Sequence, residues 1–281
     1  MEKLSVNDLA KVACKVRMGI IEGTFNAKSG HPGGSLSIAE IVSYLYFNEM
    51  NIDPLNPIKD DRDRFVLSKG HCSPALYGVL AEKGFFPKED VATFRKIDSY
   101  LQGHPDMKKV PGIDMSTGSL GQGVSAAGGM ALAAKIDKKD YRVYAILGDG
   151  ELEEGQVWEQ AMFAPHYKLD NLTIFVDNNN LQIDGDIAEV MNPHPIDKKF
   201  EKFGKYFSEG TRANIVMHTE KDKVKLEATI VVKVTIFRAE DVEQDIFDCI
   251  DKVGDKLAKQ VSKYKDKMQK KHKSNESVRF E

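Results

Sequence analysis

Cysteine is scarce in this chain of 281 residues: Cys14, Cys72 and Cys249 lie far apart, with no CxxC pair and no even-numbered set. That excludes a disulfide framework and a thiolate zinc site, and it suits a reducing cytoplasm. A run of about 18 apolar residues is lacking too, so no membrane-spanning helix is expected. The opening stretch MEKLSVNDLAKVACKVRMGIIEG carries acids and has no continuous apolar centre, so it does not read as a signal peptide. Neither sign of charge dominates, with 40 Lys and Arg against 43 Asp and Glu. The balance is uneven along the chain: residues 252–273 are heavily basic and the earlier part is mildly acidic. What remains is a soluble globular composition, long enough for one large or two small domains.

Apolar residues at Leu9, Val12, Ala13, Val16 and Ile20 predict a helix over Val6–Glu22 behind an Asn7 cap. A glycine-rich loop, Asn26–Ser35, leads to a buried helix at Ser37–Phe47. Asp63–Ser68 reads as a short strand ending in Lys69-Gly70-His71. A second glycine-rich loop, Ser116–Gly123, opens a helix over Val124–Lys135 so rich in Ala and Gly that another backbone must lie against it. Arg142–Leu147 and Leu172–Val176 are continuous apolar strands around a helix at Glu154–Tyr167. That pattern predicts a doubly wound parallel sheet, an α/β fold. After Ile196–Phe207 the texture changes to strands at Arg212–Glu220, Lys223–Val234 and Val234–Arg238, then one amphipathic helix, Val242–Lys271. Its apolar stripe is Val242, Ile246, Ile250, Val253, Leu257, Val261 and Tyr264. This is an α+β pattern, and Ser274–Glu281 is expected to be a frayed tail.

Parallel strands joined by a crossover open their carboxyl ends on one edge of the sheet, where ligands of such folds bind. At those ends stand Gly148-Asp149-Gly150-Glu151 and Asp177-Asn178-Asn179-Asn180. A carboxylate beside carboxamide and carbonyl oxygens is a hard donor set suited to Mg²⁺ or Ca²⁺. Gly148 and Gly150 leave backbone amides open to a phosphate, and the helix beginning near Glu154 points its positive end the same way. The same residues would also serve as a bare turn and a helix-entry loop.

GDG followed about 30 residues later by an Asn run, GDGELEEGQVWEQAMFAPHYKLDNLTIFVDNNN, resembles the thiamine-diphosphate signature. With SGHPGGSLS, DRFVLSKGH, GHPD and STGSLGQG in order, residues 1–204 resemble transketolase, in the form of the N-terminal subunit of a split bacterial enzyme. The resemblance implies thiamine diphosphate and a divalent metal held by Asp149, Asn179 and the Leu181 carbonyl. Gly148, Gly150 and Asn179 would meet the diphosphate end, and Gly118 and Leu120 the aminopyrimidine and thiazolium. Glu154 would join a carboxylate network at a subunit interface. His31, His71 and His104 would line the entrance to the reacting carbon. A lone histidine is commonly an ordinary surface or core residue, but here three of seven each follow a glycine.

The implied reaction is transfer of a two-carbon ketol unit between sugar phosphates, as in the pentose phosphate pathway, in a cytoplasmic homodimer or heterotetramer. The family's pyrimidine-binding domain, with its activating glutamate, has no counterpart here, so a C-terminal transketolase subunit is the expected partner. Residues 205–281 instead resemble part of the N-terminal domain of ribosome hibernation-promoting factors. The matching stretches are Lys205–Phe207, His218–Asp222, Phe237–Glu240 and Ile250–Val253. That resemblance implies salt-sensitive contact of residues 252–273 with ribosomal RNA; a merely solvated lysine face is the alternative. The chain thus reads as a join of two partial domains.

Overall fold

The computed structural model describes residues 3–182, 185–194, 196, 211–220, 223–232, 235–243, 252, 253, 256 and 259. The chain divides into two compact units, Met1–Ser208 and Glu209–Glu281.

The first unit is built on three parallel strands in the order β1 (Arg64–Leu67), β2 (Val143–Gly148) and β3 (Leu172–Asp177). Alternate side chains of a strand face opposite ways, and here they feed two separate cores. Phe65, Leu67, Tyr144 and Ile146 join one cluster with side chains of α1 (Val6–Ala27), α3 (Ala39–Tyr44) and α4 (Ser73–Lys83). Val66, Val143, Ala145, Leu147 and Val176 join the other with α5 (Gln122–Ile136) and α6 (Gly155–His166). Both faces of the sheet are therefore covered, the doubly wound arrangement expected of continuous apolar strands. Each fully buried branched side chain, such as Val66 or Ile146, contributes about 1.5–3 kcal/mol.

Helix α1 buries the anticipated stripe of Leu9, Val12, Ala13, Val16 and Ile20. It runs on to Ala27 and stops where Lys28 turns left-handed; Ser5, not Asn7, caps its start by accepting from the Asp8 amide. Helix α2 (Pro32–Leu36) is a single short turn, and α3 ends in a π turn at Leu45–Glu49. Helix α4, which periodicity does not announce, is buried continuously from Ser73 to Ala81 and so shows no polar face to reveal it. In α5 the need for small residues has two sources. A Cβ on Gly123 would lie 2.7 Å from the Ser68 Cα, a true backbone approach, whereas one on Gly128 would strike the Gln160 amide. Beyond β3, two short strands, β4 (Leu181–Gln182) and β5 (Gly185–Asp186), form a hairpin before α7 (Ile187–Val190).

The second unit is an antiparallel meander of β6 (Thr211–Glu220), β7 (Lys223–Val232) and β8 (Thr235–Glu243). The last strand is longer than expected. Val242 and Glu243 pair with Lys225 and Val224, so they belong to the ladder and not to a helix starting at Val242. A ladder satisfies backbone groups that the first turn of a helix would leave without partners. Lys252, Val253, Lys256 and Lys259 are helical, with Val253 buried and the lysines exposed. Lys256 Nζ donates to the Glu240 carbonyl at 2.7 Å and pairs with Asp241 at 3.0 Å. The rest of the expected stripe, from Ile246 to Tyr264, and the tail 274–281 lie outside the described residues. Among the described residues no helix is long and apolar enough to cross a membrane.

Candidate functional site

Strands β2 and β3 end side by side, Gly148 opposite Asp177, so the residues that follow them emerge together at one edge. Asp149 is almost fully buried there. Its Oδ1 accepts from the Gly150 amide at 3.0 Å and its Oδ2 from the Asn180 amide at 2.7 Å, joining the two strand-end loops directly. Burial lifts the Asp149 pKa to about 6, against the pull of the Asn180 amide and with help from the Asp177 charge. Asn179 holds its own loop, its Oδ1 accepting from the Leu181 amide at 3.0 Å. Asn180 takes a left-handed backbone, φ 60°, to turn the chain back toward β4.

Whether a divalent cation fits this edge follows from its donors. Asp149 is a buried acid that burial holds toward its neutral form, and the Asp177 Oδ1 is buried without a hydrogen-bond partner. A dication would favour the ionised Asp149 and employ the surplus oxygen donors. No group of three or more His, Cys, Asp or Glu able to hold a metal occurs among the described residues. A shell around Asp149 would be completed by oxygens of amides, carbonyls, water or phosphate, the first two of the kind that Asn179 and Leu181 offer. The residues fit the ion. Both amides expected to greet a phosphate face carboxylates of their own loop: Gly150 that of Asp149, and Gly148 that of Glu151 at 3.2 Å.

The other motifs gather close to this edge. His31 and His71 stand edge to face with ring centroids 5.0 Å apart. His104 lies against Gly118, where a Cβ would come within 2.8 Å of the ring. Gly118 adopts φ 144° and Gly121 φ 81°, conformations that a side chain would strain. Burial is the main cause that depresses the His71 pKa, to about 4, followed by the Lys69 charge; burial and then Arg95 lower that of His31. Both rings are therefore neutral near pH 7. Glu154 is the N-cap of α6, exposed, with its Cβ directly beneath Gly121. Leu120 precedes that glycine in the same loop, and Leu181 begins the β4–β5 hairpin, 66% exposed.

Two buried charged groups, an ion pair and a lone carboxylate, escaped the sequence reading. Lys69 and Asp177, each 1% exposed, form an ion pair beneath Gly148. Lys69 also donates to the Gly34 carbonyl at 2.9 Å, and the Ser37 hydroxyl donates to Asp177. Burial alone would lower the lysine pKa, but Asp177 and then Cys72 outweigh it and the net shift is upward. The second is Glu151, whose carboxyl burial pushes upward against the Ser68 hydroxyl and nearby amides. The only sequence signal for either was a charge beside a glycine motif, which surface turns show as often.

The class defined by fold and site is a doubly wound α/β domain with hard oxygen donors collected at adjacent strand ends. Residues 9–232 match the transketolase thiamine diphosphate binding domain, and the chain belongs to that family. It is 50% identical over 197 residues to a 6-deoxy-6-sulfo-D-fructose transketolase subunit of Clostridium sp. (strain MSTE9), covering 70% of this chain and 72% of that protein. It is 45% identical over 201 residues to an apulose-4-phosphate transketolase subunit of Phocaeicola vulgatus, covering 72% of this chain and 71% of that protein. Among solved structures, Campylobacter jejuni transketolase superposes with a TM-score of 0.67 at 35% identity over 72% of this chain. The match spans only 33% of that chain.

Proposed function

We propose that this chain is the thiamine-diphosphate-holding component of a transketolase divided between two polypeptides, moving a two-carbon ketol unit between sugar phosphates. The reading rests above all on the contact between the two signature motifs, the Asn180 amide on the Asp149 carboxylate at 2.7 Å. Asp149, with Asn179 and the Leu181 carbonyl, would hold Mg²⁺, for which Ca²⁺ can substitute; Gly148 and Gly150 lie at the diphosphate end. Gly118 and Leu120 would flank the rings of the cofactor. Thiamine diphosphate, when bound, supplies the carbon nucleophile and electron sink that breaking a ketose carbon–carbon bond requires.

The chain's own part is binding, orientation and proton handling. His31 and His71, neutral near pH 7, can each donate one hydrogen bond and accept another, which suits a sugar hydroxyl that must be held and deprotonated. His104 closes the same group from the Gly118 side, and Glu154 stands exposed where a partner's carboxylate could reach it. The relatives described as subunits support a second, C-terminal transketolase subunit as partner. The assembly proposed with it is a homodimer or heterotetramer, working in the cytoplasm within pentose phosphate metabolism. A second reading, contact with ribosomal RNA through residues 252–273, is favoured by the separate meander and by the exposed, helical Lys252, Lys256 and Lys259.

Thermal unfolding with and without Mg²⁺ and thiamine diphosphate tests the leading reading. At a hundredfold excess over Kd, ligand binding stabilises by about 2.7 kcal/mol, several degrees in Tm for a unit of this size. Asp149→Ala should abolish most of that shift. A variant that keeps the full shift would remove Asp149 from the metal site.

A further inference from the structure

Glu151 touches three of the motif loops at once, and none of the roles above employs it. It lies two residues past Asp149 and is 2% exposed. Its Oε1 accepts from the Gly121 amide at 2.9 Å and from the Ser68 hydroxyl, and its Oε2 accepts from the Gly148 amide at 3.2 Å. The Ser68 oxygen in turn accepts from the Val124 amide at 3.1 Å. One carboxylate thus ties together the end of β1, the start of α5 and the exit of β2.

Consider the α5 end first. Its N-cap, Gly121, has no side chain to satisfy the amides of the first turn. Ser68 and Glu151 supply those acceptors from two other segments, and the carboxylate sits where the positive end of the helix dipole favours an anion. The approach is already at contact distance, because a Cβ on Gly123 would lie 2.7 Å from both the Ser68 Cα and its hydroxyl oxygen. The loop carrying Gly118 and Leu120 therefore cannot shift without breaking this cap. At the β2 end the same carboxylate holds Gly148, the residue before Asp149.

We propose that Glu151 is a positioning residue for thiamine diphosphate: with Ser68 it locks the Gly118–Leu120 loop and the Asp149 turn into one rigid cradle. The inference rests on the cofactor reading given above. All three donors are satisfied by the two carboxylate oxygens of Glu151. Glu151→Gln keeps the volume but turns one oxygen into an NH₂ group, which must then face either the Gly148 amide or the Gly121 amide and Ser68.

The test is calorimetric titration of the full chain with Mg²⁺ and thiamine diphosphate, and separately with Mg²⁺ and inorganic pyrophosphate. Glu151→Gln should weaken thiamine diphosphate about 10–100-fold, the size of effect seen when a buried hydrogen-bond partner that orients a ligand site is lost. Pyrophosphate, which engages only the Asp149 end, should lose less. Leu80→Ala, a core substitution in α4, should leave both affinities of the folded protein unchanged. Should Glu151→Gln fail to fold, Ser68→Ala cuts the same unit at its α5 end and should weaken thiamine diphosphate while sparing pyrophosphate. Thiamine diphosphate affinity of Glu151→Gln, or of its Ser68→Ala substitute, within about threefold of the natural chain overturns the inference alone. An equal loss in Leu80→Ala does the same, since it would reduce the effect to stability. No binding by the natural chain overturns the cofactor reading and this inference with it.

Discussion

Removing the lysine of the buried pair should be among the most damaging single changes in the first unit. In Lys69→Met the Asp177 carboxylate stays 1% exposed, keeps the Ser37 hydroxyl and loses its cation. Breaking a buried pair from one side costs about 3–5 kcal/mol, because the remaining charge is left buried away from water with no cation to balance it. For a domain near 200 residues each kcal/mol corresponds to about 2–4 °C in Tm, so a fall of about 10 °C is expected. Removing both charges should be far milder. Lys69→Met with Asp177→Asn should recover most of the loss, giving a coupling energy above about 1 kcal/mol in a double-mutant cycle. Urea unfolding of the four proteins, without metal or cofactor, measures it. A Lys69→Met loss under about 1 kcal/mol, or strictly additive single changes, would refute the claim that this pair is energetically closed off from water.

His71 gives a pH signature. Its pKa is depressed in the folded chain, so the unfolded chain takes up the proton first; stability is intact above about 6.5 and is lost as pH falls toward about 4. Partial exposure of the ring trims the effect to about 1–2 kcal/mol, and His71→Gln should flatten that part of the stability–pH curve. An unchanged slope would mean that the ring is solvated. The chain alone should show no ketol transfer with sugar phosphates, and supplying a C-terminal transketolase partner should restore it; turnover by the purified chain alone would contradict the division of labour proposed above. Co-sedimentation with ribosomes should be weak and fall steeply between low and physiological salt. Retention at physiological salt against competing bulk RNA would make the ribosome the partner.

Sequence by itself determined the parts governed by local pattern. The strand read as Arg142–Leu147 is offset from β2 by one residue at each end, and that read as Leu172–Val176 stops one residue short of β3, because largely apolar runs bounded by glycine and asparagine admit little else. The GDG and Asn motifs were placed at the same sheet edge for the same reason, since a short crossover forces adjacent parallel strands. Tertiary structure alone decided what depends on burial. Helix α4 is apolar on every side and so carries no periodic signal, and Val242 follows its ladder partner Lys225, not the helical spacing to Ile246. Nothing local distinguishes Glu151 from the exposed Glu153 two residues on, or Lys69 from a surface lysine. Their roles come from which distant groups the fold brings within hydrogen-bond reach after water has been excluded, and that is a property of packing.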